Sequence, residues 1–140
     1  MAHIVNMSEA ASIALHGMVF ITRSKGNVVN VQEIANVTGS SRHHVAKIMQ
    51  RLVKEGYLVS QRGPSGGFAL KKKPEDITFL ELYEIIEGKV DMGVCPFDYP
   101  YCPFENCIFS DLTTRLTREF LDYMGNQTLD KYKDFKFKAK

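Results

Sequence analysis

A mainly α-helical chain carrying one small β-hairpin is what this sequence predicts, and three observations lead there. Apolar residues recur at helical spacing through most of the chain. Two stretches, "NVQE" and "TFLE", carry the cap-and-return pattern of a helix start. A single Gly- and Pro-rich turn, "RGPSGG", lies between two short β-prone pieces.

Taken in order, Ala11, Ile13, Ala14, Leu15, Met18, Val19, Phe20 and Ile21 form a broad stripe that predicts a helix from Ser8 to Arg23. Asn6 and Glu9 make a capping-box pattern ahead of it. "SKGN" breaks the helix. Asn30 caps the next, with Glu33 three residues on and Gly39 as its stop. "SSRHHVAKIMQRLVKEG" is the third helix, capped by Ser40 or Ser41 and burying Val45, Ile48, Met49, Leu52 and Val53. Tyr57–Ser60 and Phe68–Leu70 are the arms of the hairpin. Thr78 and Glu81 open a fourth helix. A last helix is predicted from Ile108 to Met124, with Ile108, Leu112, Leu116, Phe120 and Tyr123 on one stripe. A short helical turn after Thr128 and a frayed basic tail end the chain. Helix, turn, helix, hairpin is the order of a winged helix-turn-helix with a two-stranded wing. The expected division is residues 1–88 as that unit, 89–107 as a cysteine loop, and 108–140 as a long C-terminal dimerisation helix with its tail. A stripe of that length in so small a chain fits pairing with its twin in a homodimer.

The 140 residues, 44% apolar and 24% charged, fit one water-soluble domain. No apolar run reaches the roughly 18 residues of a membrane span, and the N-terminus lacks the basic head of a signal peptide. A cytoplasmic protein is expected, with no membrane partner. The net charge of +2 is unremarkable, but its distribution is not. Between Arg42 and Lys73 stand eight Lys/Arg against one acid, and between Glu75 and Asp98 seven acids against one Lys. A basic block of that kind suits a polyanion or a merely solvated face.

In a helix-turn-helix the second helix enters the major groove by its N-terminal end. Here that end holds Ser40, Ser41, Arg42, His43 and His44, with Lys47 one turn on. Arg can take guanine with two hydrogen bonds, and Ser can meet base or phosphate. Adjacent His43 and His44 point about 100° apart on a helix and make a poor metal pair. In the wing, Arg62, Gly63 and Ser65 are placed to meet a groove or a phosphate. No Lys-Ser/Thr and no helix follow "RGPSGG", which argues against a phosphate-binding loop. Nor is there a serine–histidine–acid set or a convincing acid pair, so an enzyme is not expected.

All three cysteines, Cys95, Cys102 and Cys107, lie in "CPFDYPYCPFENC". Reduced cytoplasmic thiols clustered this way more often bind metal than pair with each other. Thiolates are the usual ligands of iron–sulfur clusters. Structural zinc prefers ligand pairs two to four residues apart, and gaps of six and four suit it less. Zinc and a metal-free redox switch remain alternatives.

The words "LVKEGYLVSQRGPSGGFAL", the three cysteines before a long helix and the ending "NQTLDKY" together resemble the Rrf-two family of bacterial winged-helix regulators. The resemblance covers nearly the whole chain. It implies a homodimer that binds double-stranded operator DNA, with Cys95, Cys102 and Cys107 holding a 2Fe-2S or 4Fe-4S cluster. It implies a repressor whose DNA binding answers to nitric oxide, redox state or cluster supply. The family also has cluster-free members. Some relatives place a histidine three residues after the third cysteine as fourth ligand, where this chain has Ser110. Others take it from the start of the partner's first helix, which points to Glu9.

Overall fold

The computed structural model describes residues 1–92, 95 and 101–138. The helix-turn-helix follows from its caps. Helix α1 (Glu9–Arg23) starts at Ser8, whose side chain accepts from the Ala11 amide. Asn6 is therefore not the cap, and Glu9 is the first helical residue rather than the return arm of a capping box. Helix α2 (Val31–Thr38) has the full box: Asn30 Oδ1 accepts from Glu33 N at 2.8 Å, and a Glu33 oxygen accepts from Asn30 N at 3.2 Å. Gly39 ends it in the left-handed conformation, φ +68°. Helix α3 (Arg42–Lys54) is capped by Ser41, which accepts from His44 N at 3.1 Å. Ser40 instead gives its amide to the Ala35 carbonyl at 3.2 Å.

The three helices share one core. Ile13, Met18 and Ile21 of α1, Ile34 of α2, and Val45, Met49 and Leu52 of α3 are essentially inaccessible. Gly17 lets α1 and α3 approach: a Cβ there would sit 2.9 Å from the Met49 methyl.

Strands β1 (Leu58–Gln61) and β2 (Gly67–Leu70) pair antiparallel, with Leu58 opposite Leu70 and Gln61 opposite Gly67. The wing is fastened to the helix-turn-helix. Val29, just before the α2 cap, exchanges both backbone hydrogen bonds with Phe68, at 2.9 and 2.8 Å. Gly67 makes this possible, because a Cβ on it would lie 2.2 Å from the Val29 carbonyl oxygen. Bare backbone is required where two strands cross so closely.

After a 3₁₀ turn at Pro74–Asp76, helix α4 (Phe79–Glu87) opens on the second capping box, Thr78 with Glu81. Glu81 also accepts a 3.0 Å hydrogen bond from the buried Tyr57 hydroxyl. Burial, reinforced by Glu81, pushes the Tyr57 phenol up from 10.0 to about 12. The folded state thus favours the neutral phenol. Its contribution is complete below pH 10 and lost as the pH climbs from 10 towards 12. Denaturant unfolding should therefore show stability falling across that window. Tyr57→Phe should flatten the fall while costing about 1 kcal/mol at neutral pH for the lost hydrogen bond. An unchanged alkaline slope would remove Tyr57 from the account.

Helix α5 (Leu112–Asn126) begins four residues later than the apolar stripe predicts. Cys107 to Ser110 form a turn, with Ser110 N donating to Cys107 O at 3.0 Å and Ser110 at φ +54°. The stripe is outward: Ile108, Leu112, Leu116 and Tyr123 are exposed, Ile108 by 71%. Phe120 departs from the outward stripe, meeting Tyr83 with ring centroids 5.0 Å apart, and Met124 is buried in the core. The expected helical turn appears at Leu129–Tyr132 as 3₁₀. Two hydrogen bonds, Phe79 N to Gln127 O and Leu129 N to Ile77 O, stitch it to the head of α4. As far as Lys138 the tail packs on the body of the fold. Tyr132 stacks on Phe79 with ring centroids 5.1 Å apart, and Phe137 meets Phe20 edge-on at the same distance. Arg23 lies over the Phe137 ring at 5.3 Å. Phe137 is thus half-buried against the core, while Phe135 stays exposed beside Tyr132 and the lysines point outward.

Candidate nucleic-acid interface and cysteine loop

The head of α3 and the wing present one face. Arg42 and Gln50 of α3, Gln32 of α2, and Gly63, Pro64 and Gly66 of the wing line a single cleft of about 460 Å³. Two features of the sequence bring them together. The Ser41 cap aims the first turn of α3 outward, and the Val29–Phe68 bridge sets the wing beside α2. Gly66 is as constrained as Gly67, since a Cβ on it would lie 2.2 Å from the Gln61 carbonyl oxygen. Gly63 takes φ +102° with open space around it.

Ser41, Arg42, His43, Lys47, Arg62 and Ser65 are all exposed, and Ser40 is half-buried. Among the described residues, none of Arg42, Lys47, Arg51 and Arg62 is ion-paired. Their charge is available to an external polyanion. Gln32 and Gln50 are interface candidates that the charge pattern does not reveal, because neutral amides leave no mark in it. Both can donate and accept, as base-edge contacts require.

His44 is set apart from this group. Its Nδ1 lies 3.3 Å from Glu9 Oε1, joining α3 to the first residue of α1. Next to it, the Ser8 hydroxyl donates to Glu87, the last residue of α4. The α1 N-terminus is thus tied both to α3 and to the helix that leads into the cysteine loop.

Cys95, Cys102 and Cys107 are exposed. Positions 96–100, among them Pro96, Phe97, Tyr99 and Pro100, lie outside the described residues, while Tyr101 and Phe104 of the same loop are exposed. Among the described residues, no three His, Cys, Asp or Glu side chains converge as a metal site. The donor chemistry suits an iron–sulfur cluster, with three thiols in one 13-residue span. Glu9, directed to His44 in the single chain, is not gathered with them. No helix is long and apolar enough to cross a membrane, among the described residues.

A family model described as Rrf2, iron-dependent transcriptional regulator, matches residues 7–133. A putative HTH-type transcriptional regulator of Aquifex aeolicus is 33% identical over 88 residues, 63% of this chain and 61% of that protein. The HTH-type transcriptional regulator NsrR of Bacillus licheniformis is 28% identical over 92 residues, 65% of this chain and 64% of its own. The matches thus span about three-fifths of the length of these curated relatives. The structure of CymR, the global cysteine regulator of B. subtilis, superposes with a TM-score of 0.74 at 20% identity, over 95% of this chain and 99% of that one. At that identity the likeness bears on the fold alone, which is the winged-helix fold.

Proposed function

The chain belongs to the Rrf2 family of transcriptional regulators, which are not enzymes, and from that premise we propose that it is a homodimeric DNA-binding repressor whose grip on operator DNA is set by an iron–sulfur cluster. The observation that carries the DNA-binding part is the shared face of α3 and the wing, with cations that are unpaired among the described residues. Arg42, His43 and Lys47 read the major groove, with Ser40, Ser41 and His44 around them. Arg62, Gly63 and Ser65 follow the backbone or the minor groove. The exposed stripe on α5 supports dimerisation, since Leu112, Leu116 and Tyr123, with Ile108 just before the helix, are costly to leave in water. Leu116→Glu should halve the mass seen by sedimentation, and an unchanged mass would locate the interface elsewhere.

Two copies would address half-sites about one helical turn, roughly 34 Å, apart. The test is operator selection followed by titration across salt. Arg42→Ala or His43→Ala should cost about 1–3 kcal/mol at one base position. Arg62→Ala should weaken all sequences alike and reduce the salt slope by about 1. Failure to enrich any sequence, with or without metal, would end the regulator reading.

Cys95, Cys102 and Cys107 would hold the cluster, with Glu9 of the second copy as fourth ligand. When bound, the cluster supplies a redox-active, chemically labile centre. A carboxylate ligand leaves it open to nitric oxide, redox change or cluster exchange. The protein's own part is to supply thiolates from one loop and to tie that loop, through Glu87 and Ser8, to α1. A cytoplasmic location fits reduced thiols and DNA. A second reading, a cluster-free repressor with a cysteine redox switch or a zinc site, is favoured by the exposure of Cys102 and Cys107. Absorption spectra and metal analysis of anaerobic protein separate the two.

A further inference from the structure

Away from the cysteines, a cavity of about 950 Å³ opens between α1, the end of α2 and the C-terminal segment. Its walls are apolar, from Leu15 and Val19 of α1, Val37 of α2, Phe79 of α4, Met124 of α5 and Phe135 of the tail. That size lies at the upper end of small-molecule sites, and apolar walls with a few polar groups are their usual character. The charge on the rim is one-sided. Lys136 and Lys138 line it, and no carboxylate does, among the described residues. Neither lysine is ion-paired among those residues. His16 adds a further polar group: its Nδ1 donates to the Ser12 carbonyl at 2.7 Å, which leaves Nε2 of the neutral ring as an acceptor, for example for a ligand hydroxyl.

We propose that this cavity binds an amphipathic organic carboxylate, its apolar body against the α1, α2 and α5 walls and its anionic group on Lys136 and Lys138. The walls give the site its consequence. Helix α2 is the first helix of the helix-turn-helix and α5 carries the exposed apolar stripe, so an occupant touches both at once. The site would be a small-molecule input separate from the cysteine loop.

The binding claim does not depend on the regulator reading, because it is tested without DNA. Calorimetric titration of the full chain with decanoate and with 2-naphthoate should show saturable binding of at least one, near one per chain. Decylamine, with the opposite charge, should bind at least about tenfold more weakly. Acyl or aromatic preference then identifies the source of the carboxylate. Lys136→Glu with Lys138→Glu, both at the surface, should weaken the bound carboxylate by about tenfold or more. Val37→Trp should remove binding by filling the cavity, its folding checked by circular dichroism. If that variant does not fold, the lysine pair decides. The proposal is overturned if neither carboxylate binds, as when a second copy occupies the cavity. It is overturned equally if the amine binds as well, or if the lysine variants bind unchanged.

Discussion

Replacing Cys107 with alanine is expected to strip anaerobically purified protein of iron and sulfide together, and Cys95→Ala and Cys102→Ala should do the same. The expectation rests on how few ligands the chain offers. All its thiols lie in one loop, and the position three residues beyond the third holds Ser110, a poor iron ligand. In the structure Ser110 spends its backbone closing the turn after Cys107, at φ +54°. With two thiolates left, no nearby side chain replaces the third among the described residues. Iron and acid-labile sulfide per chain should drop by about tenfold or more, along with the visible absorption. Folding should survive, because the thiols are exposed and contribute no core. Zinc bound at one per chain with no sulfide would replace the cluster with a structural site. Colourless, metal-free protein whose DNA binding responds to thiol oxidants would favour the redox switch.

Gly67→Ala should be among the most damaging single-methyl additions in the helix-turn-helix and wing. The added Cβ would stand 2.2 Å from the Val29 carbonyl oxygen and 2.8 Å from the Asn30 Cα. Both are backbone atoms, so no side chain can swing aside. Relief requires opening the Val29–Phe68 bridge, which gives up two hydrogen bonds and disturbs the Asn30 cap beside it. The cost should be about 3 kcal/mol, or about 10 °C in Tm for a domain of this size. Operator affinity should drop as well, because the wing loses its position relative to α3. Gly63→Ala is the control: its φ of +102° strains an alanine, but nothing crowds the Cβ. That variant should cost about 1 kcal/mol. A Gly67→Ala protein melting with the wild type would refute the close-packed bridge.

Features set by neighbours in the chain were legible in advance. Both capping boxes formed as the residue types at Asn30 with Glu33 and Thr78 with Glu81 require. The hairpin arms shifted by only one residue, because Gly-rich punctuation marks a turn well. Features set across the fold were not. Ile108 has the spacing of the α5 stripe, yet the backbone turns at Ser110 before the helix starts, and periodicity cannot register that. Phe135 and Phe137 alternate with lysines and read as a solvated tail. Their partners, Tyr132 and Phe20, belong to a packing that only the folded chain creates. Glu9 looked like half of a capping box, but its nearest polar partner is 35 residues away on α3.

The hydrogen-bonded bridge between Val29 and Phe68 has a consequence for how a signal could be spelled on DNA. With the wing latched to the threshold of α2, and α2 packed on α3, the parts proposed to meet the duplex form one stiff reading head. Such a head cannot exchange one base preference for another by flexing. In the proposed dimer, what remains adjustable is the separation and rotation of one head against the other. The duplex repeats every 10–10.5 base pairs, so a change in that separation becomes a change of phase. Five base pairs inserted between half-sites would turn one of them to the far side of the double helix. Operator spacing, more than operator letters, would then be the coordinate along which such a protein is switched.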